Sequence, residues 1–340
     1  MASRWLTLLC VSILLVACSG NPLGSSNDGD LAACLDALPQ PAAFTGLFVA
    51  PDDGERPILD ELQAARCTID VSVYLLSDDA VIAALDTAAD RGVRVRVMLE
   101  EFPFGGGGTQ DEVRAGLEAH DIEVRWSGSG VRFSHAKFIV VDRQVALIMN
   151  QNLTVSAFTN NREFGVVTTH RASVAQAQEI FDRDWEGDGG EDVDGPLIVS
   201  PANSRDRLLE LIEGGTESID LYAEVIRDEQ VVAALGAAEA RGVEVRLIVD
   251  VSIDEDTQDV AAQLYAQGVE VRLADFLYIH AKLMVIDIAT AVVGSQNFTQ
   301  TSLDDNREVA MVISDPLLIE RCLAVFERDW ARSAPGAPGG

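Results

Sequence analysis

Lysine is almost missing from this sequence. Of its 25 basic side chains in 340 residues only Lys137 and Lys282 are lysines, and both fall inside one repeated octapeptide, HAKFIVVD at 135–142 and HAKLMVID at 280–287. Elsewhere positive charge comes from arginine, a planar and permanently ionised fork, whereas lysine is a compact point charge. Two places therefore demand an ammonium. Histidine is nearly as scarce, at four residues, and two of these, His135 and His280, open the same octapeptides. The shortage of positive charge leaves a net charge of −30, which argues against a general polyanion binder but leaves room for a local cationic pocket. With 48% hydrophobic residues the chain can bury a large core, as two modest domains or one bilobed unit.

A long apolar run is also missing. The N-terminus, MASRWLTLLCVSILLVACSGN, has one arginine, an apolar stretch too short to span comfortably, then small residues, the pattern of a secretion signal. Leu15-Val16-Ala17-Cys18 resembles a bacterial lipobox, whose cysteine becomes the lipidated first residue; ordinary signal cleavage or an uncleaved anchor is the plainer alternative. On the lipobox reading residues 1–17 are removed, Cys18 is lipidated, and residues 18–46 form a tether and N-terminal segment. Ser19 after the cysteine resembles the outer-membrane sorting pattern. The expected location is the bacterial cell envelope, lipid-anchored at the outer membrane and facing the periplasm.

Five cysteines are few. Cys10 leaves with the signal and Cys18 takes the lipid, so Cys34, Cys67 and Cys322 remain in an oxidising compartment, an odd number that leaves one unpaired. Cys322, in IERCLAVF, reads as a buried apolar residue, which makes Cys34 with Cys67 the preferred disulfide. No cysteine has metal-ligand spacing, and neither metal nor cofactor is expected.

The chain instead holds itself twice. LFVAP at 47–51 returns as LIVSP at 197–201, VIAALDTAADRGVRVRV from Val81 returns as VVAALGAAEARGVEVRL from Val231, and FDRDW at 181–185 returns as FERDW at 326–330. The copies run over 47–186 and 197–332, joined by an acidic, glycine-rich linker at 187–196 and followed by a tail at 333–340. Within a copy, short β-branched runs alternate with alanine-rich helical segments, which predicts an α/β layered unit. Gly92 and Gly242 stand where a helix ends in a left-handed cap and a strand begins. Two α/β/α sandwiches about a pseudo-twofold axis would bring equivalent loops together, so that each copy holds half a site.

In an extended strand His135 and Lys137 share a face, as do His280 and Lys282. Asp142 and Asp287 fall on the other face and read as braces at strand ends. NQN at 150–152 and SQN at 295–297 follow, then NRE at 161–163 and 306–308. Paired imidazoles, ammonium groups, amides and carboxylates suit phosphodiester chemistry without metal: lysine and asparagine stabilise charge on non-bridging oxygens, one histidine attacks phosphorus and the other protonates the leaving alcohol. His120 and His170 have no counterparts in the opposite copy and read as surface residues.

The octapeptides match the HxKxxxxD motif of the phospholipase D superfamily, and GSQN at 294–297 matches its downstream GSxN. The resemblance covers nearly everything from Leu47 onward. It implies a bilobed α/β fold, a phosphohistidine intermediate and no metal requirement. Carried onto these positions, His135 and His280 are catalytic, with His135 the nucleophile; Lys137, Lys282, Asn152 and Asn297 bind phosphate; Glu163 and Glu308 orient the histidines. Asn150 and Ser295 are expected to add phosphate contacts, although Met149-Asn150 departs from the Gly-Ser of the pattern.

The lead reading is a phospholipase D-like phosphodiesterase or phosphatidyltransferase with a phospholipid substrate, its site complete without an oligomer. A periplasmic nuclease and a catalytically silent envelope scaffold are the alternatives. Scattered arginines in an acidic sequence disfavour nucleic acid, and repulsion from anionic lipid favours a zwitterionic headgroup. Phe133, Phe276, Leu277 and Tyr278 precede the motif histidines, and Phe102 and Phe104 are expected to dip into the membrane near the site.

Overall fold

The computed structural model describes residues 28–104, 110–128, 130–188 and 193–336. Cys10, Cys18, the run at 105–109 and the middle of the linker lie outside the described residues. The first half contains β1 (Thr45–Ala50), β2 (Thr68–Val73), β3 (Arg94–Leu99), β4 (Glu123–Trp126), β5 (Phe138–Val141), β6 (Val145–Met149) and β7 (Asn161–Thr168), hydrogen-bonded in the order β1-β7-β6-β5-β2-β3-β4. The second half contains β8 (Ile198–Ser200), β9 (Ser218–Ala223), β10 (Glu244–Asp250), β11 (Glu270–Ala274), β12 (Tyr278–Ile279), β13 (Lys282–Ile286), β14 (Thr290–Gly294), β15 (Glu308–Ile313) and β16 (Ala334–Pro335). Its sheet repeats the order as β8-β15-β14-β13-β9-β10-β11, with β16 added at the edge, while β12 leaves it to pair with β7 of the first half. The molecule is therefore an α/β protein of two repeated lobes.

Local sequence explains the repeated unit. β2 and β3 are β-branched runs buried along nearly their whole length, and their parallel pairing requires a crossover, supplied by the helix Asp79–Asp90. Asp78 caps that helix by accepting the Ala80 and Val81 amides, and Gly92 follows it at φ +88, a conformation glycine adopts without penalty. Asp228 and Gly242, at φ +93, do the same in the second lobe.

Side-chain alternation along β5 sets the layers. Ile139 and Val141 face a core of the first lobe alone, with Leu62, Val81 and Leu85. Phe138 and Val140 face a central core that both lobes share, with Phe181, Tyr222 and Phe326. The last helix of each lobe, Arg171–Glu186 and Pro316–Arg332, lies in this centre. The repeated FxRDW is explained here. Phe181 stacks on Trp185 and Phe326 on Trp330, each at 5.5 Å, with Arg96 and Arg246 over the respective phenylalanines.

Its aspartate crosses between lobes. Arg162 of β7 pairs with Asp329 at 2.6 Å, and Arg307, just before β15, pairs with Asp184 at 2.9 Å, all four side chains being buried. Each guanidinium also donates to a carbonyl of its own lobe, that of Ala50 or Ser200. These two ionic clamps fix the lobes to each other.

Cys34 and Cys67 form a disulfide with Cα atoms 5.9 Å apart, tying the helix Asp28–Asp36 to the start of β2. Cys322 is free and buried, and burial pushes its thiol up to about 12. His170 is exposed, and His120 stands near Asp86 and Asp90 at the surface.

Candidate active site

The motif aspartates lie away from the other site residues. Asp142 follows β5 at φ +53 and accepts the amides of Arg66, Cys67 and Thr68; Asp287 follows β13 at φ +53 and accepts those of Thr216, Glu217 and Ser218. Aspartate tolerates the left-handed turn that such a hairpin needs. Both therefore brace the adjacent strand, as their odd spacing from histidine suggests.

The histidines do not sit on the regular strands expected for them. β5 begins at Phe138 and β13 at Lys282. His135 and His280 stand just upstream, in extended segments that cross to the other lobe. Tyr278 and Ile279 pair with Asn161 and Arg162 of β7. In the equivalent place Ser134 bridges to Arg307, whose carbonyl accepts the His135 amide at 3.0 Å. Two further carboxylates pin these segments: Glu100 accepts the Ser134 amide at 2.8 Å and Asp250 the Ile279 amide at 3.1 Å.

Crossing brings each histidine to the other copy's glutamate. His135 Nδ1 lies 2.9 Å from Glu308, and His280 Nδ1 lies 2.8 Å from Glu163. Both carboxylates are fully buried and held in place. Glu308 accepts from Ser302 Oγ at 2.5 Å and Asn306 Nδ2 at 3.1 Å, and Glu163 accepts from Asn161 Nδ2 at 3.0 Å. The Asn of each NRE thus fixes its Glu. With Nδ1 engaged, Nε2 is the ring nitrogen of each imidazole that faces away from its dyad glutamate.

Both lysines turn back onto these segments. Lys137 Nζ donates to the His135 carbonyl at 2.6 Å and Lys282 Nζ to that of His280 at 2.7 Å. Burial, with the charge of Lys282, pulls the Lys137 ammonium down to about 7, although Glu308, Glu224 and Glu163 oppose this. Burial chiefly, and the two lysines, also lower the His135 imidazole below its ordinary value against the pull of Glu308. Burial would raise the Glu308 carboxyl, but His135 and Lys137 outweigh it and hold it low. Charges from both lobes act on one another, so this is one site.

Asn152 and Asn297 are half-buried, and each Oδ1 is buried without a partner among the described residues. A carboxamide oxygen accepts, so these orphaned atoms call for a donor, and contact with an anion falls to the Nδ2 group of each side chain. Asn150 and Ser295 are not placed for that. Ser295 Oγ accepts the Val309 amide at 3.1 Å, and Asn150 Oδ1 accepts the equivalent Phe164 amide at 2.8 Å. Asn150 Nδ2 donates across the lobe boundary to the carbonyls of Lys282 and Gly294. Both side chains are fully buried, so the phosphate contacts expected of them are corrected to backbone supports. Asn for Ser here keeps the backbone bond and adds an inter-lobe strut.

One difference between the lobes went unread in the sequence. Tyr74 and Glu224 occupy equivalent places after β2 and β9. Tyr74 stands edge-on to His135 with ring centroids 4.7 Å apart, whereas Glu224 is ion-paired with Lys282 and lies 3.5 Å from His280 Nε2. Aligning the two copies exposes this mismatch; the motifs do not.

Comparison with known proteins agrees with the doubled architecture. A family described as "Cardiolipin synthase, PLD-like domain" matches residues 58–185 and again 208–330. Cardiolipin synthase A of Pseudomonas aeruginosa is 28% identical over 322 residues, covering 82% of this chain. The chain spans 65% of that relative's length. The mitochondrial cardiolipin hydrolase of Homo sapiens is 32% identical over 129 residues, 38% of this chain and 50% of that protein. Among solved structures, phosphatidylserine synthase of Haemophilus influenzae superposes with a TM-score of 0.69 at 11% identity, covering 91% of this chain and 92% of that one, a likeness of fold. Two family matches, one per lobe, coincide with the two histidine–lysine motifs that meet at a single site, and the chain belongs to the phospholipase D superfamily.

Proposed function

We propose that the chain is a phospholipid phosphodiesterase or phosphatidyltransferase working through a phosphohistidine on His135. The observation that carries this is the crossed pair of histidine–glutamate dyads with a lysine beside each. Neutral His135 Nε2 attacks phosphorus while its Nδ1–H is held by Glu308, and the bond from phosphorus to the headgroup oxygen breaks. His280, protonated, gives its proton to that oxygen. Water or an acceptor alcohol then attacks the phosphohistidine, surrenders its proton to His280, and the phosphorus–nitrogen bond breaks. Lys137, Lys282, Asn152 and Asn297 supply donors for the non-bridging oxygens, each such donor worth on the order of 10² to 10³ in rate.

Lipid as the diester is supported by the likeness to a cardiolipin synthase and a cardiolipin hydrolase and by exposed Phe102 and Phe104 beside the site, where the Phe104 amide meets the Tyr74 hydroxyl. A charge of −30 disfavours anionic surfaces and nucleic acid, so the favoured substrate is a zwitterionic phospholipid. The Cys18 anchor belongs to the same proposal.

The test is purified full-length protein against liposomes of zwitterionic phospholipid and against duplex and single-stranded DNA at physiological salt. Headgroup release or exchange is expected, lost in His135→Ala and in His280→Ala, with a phosphatidyl adduct trapped on His135 in the latter. His135-dependent DNA cleavage with no lipid turnover would replace this reading by the nuclease, and no adduct with any diester would replace it by the silent scaffold.

A further inference from the structure

Tyr74 and Glu224 are equivalent by structure as well as by sequence. Two residues beyond each, Leu76 bridges to Leu153 and Ile226 to Phe298 in the same parallel sense. Their chemistry is opposite. Tyr74 gives the first lobe an aromatic wall, its ring 5.1 Å from Lys137 Nζ and 6.3 Å from the Phe133 ring. Glu224 gives the second lobe a carboxylate: Oε2 meets Lys282 and the His280 Nε2 atom, and Oε1 accepts the Tyr278 hydroxyl at 3.1 Å. Burial would raise this carboxyl, but His280, Lys282 and the Lys282 hydrogen bond hold it well below the usual carboxylate range.

His280 Nε2 is the atom that hands a proton to the departing alcohol and takes one from its replacement in the mechanism above. Glu224 therefore borders the alcohol side of the phosphodiester and not its lipid side. Beyond it, Tyr278 also lines a cleft of about 420 Å³ in which the charged lining groups are Asp250 and Asp275, with no lysine or arginine among the described lining residues. Phe276 lines it too, its ring meeting the Arg332 guanidinium at 4.0 Å.

We propose that Glu224 is a specificity-determining residue: it makes the alcohol side of the site take a group that carries an ammonium in preference to a neutral or anionic one. The inference rests on the catalytic reading above for where the phosphate lies. In the free protein Lys282 is the counter-ion of Glu224. An entering phosphate monoanion claims that ammonium and leaves a carboxylate only 16% exposed without its full compensation, which is costly for a charge withdrawn from water. An ammonium a few bonds from the ester oxygen restores the balance. A hydroxyl does so only in part, and a second anion is repelled, so discrimination arises from what the site rejects as much as from what it binds.

Two soluble diesters that differ only in this group, glycerophosphoethanolamine and glycerophosphoglycerol, test the idea by calorimetric titration of the full chain. The expected preference is for the ammonium diester by about tenfold or more, falling below about threefold in Glu224→Gln and returning in Glu224→Asp. Melting curves of both variants check that the fold is intact, and a loss that Asp restores is one that misfolding does not produce. Equal affinities in the parent, an unchanged ratio in Glu224→Gln, or failure of the ammonium diester to bind would overturn the proposal. Liposomes left intact by a protein that shows the expected ratio would remove the phospholipid reading and leave this one standing.

Discussion

The two halves of the site carry the same motif in different company. In the first, Lys137 has the face of Tyr74 beside it; in the second, Lys282 has the carboxylate of Glu224. The scaffold around them is duplicated almost atom for role: Asp142 and Asp287 brace strands, Glu100 and Asp250 pin the histidine segments, and Asn161 and Asn306 fix the glutamates. Duplication was retained wherever a backbone group must be satisfied, because any failure there is costly in either lobe. It was relaxed at Tyr74 and Glu224, and there the halves took different charges. A symmetric frame thus holds an asymmetric site.

The frame should break symmetrically, with the largest effect. Arg162→Met and Arg307→Met each leave a buried aspartate without its cation, so each is expected to lower stability by about 3–5 kcal/mol, read from urea unfolding. A loss near zero in one and several kcal/mol in the other would show that the lobes are held by one clamp alone.

The asymmetry should appear in pH dependence. A lowered His135 must lose its proton before it can attack, so kcat/KM rises as pH climbs through that lowered value. It then falls as Lys137 loses its ammonium at about 7, giving a narrow bell for the free enzyme. Tyr74→Glu would give the first lobe the carboxylate of the second and is expected to move the alkaline limb upward by about one pH unit or more. An alkaline limb that stays in place would assign it to another group.

The smallest effect concerns a segment without an aromatic counterpart. Phe102 and Phe104 are 72% and 90% exposed, whereas the equivalent stretch of the second lobe offers Val251 and Ser252. Replacing both phenylalanines by serine is expected to reduce turnover on liposomes by several-fold to about tenfold while sparing a soluble diester. Equal loss on both substrates would indicate damage to the neighbouring Tyr74 instead.

The repeat, the α/β class, the glycine caps at Gly92 and Gly242, the brace role of the motif aspartates and the pairing of Cys34 with Cys67 were all legible in the sequence. Each follows from short-range rules or from counting: alternation of side chains, an αL glycine, an odd spacing, an odd cysteine. His135, His280, Lys137, Lys282, Asn152 and Asn297 were likewise named by type and repetition, and the structure draws the histidines and lysines together. Asn150 and Ser295 were misread because a polar side chain next to a motif can satisfy a buried amide as readily as a ligand, and only the partners it meets in the fold distinguish the two.

What the sequence by itself determined was the inventory: two copies, each with a histidine, a lysine, an asparagine and a glutamate. Which partner each would meet was decided by the tertiary structure. Glu308 serves His135, Glu163 serves His280, Asp329 holds Arg162 and Asp184 holds Arg307. Periodicity reports which face of its own strand a residue takes. It carries no information on a segment that leaves its sheet to pair with the other lobe, and that exchange, set by β12 against β7 and Ser134 against Arg307, brings each histidine to the other copy's glutamate.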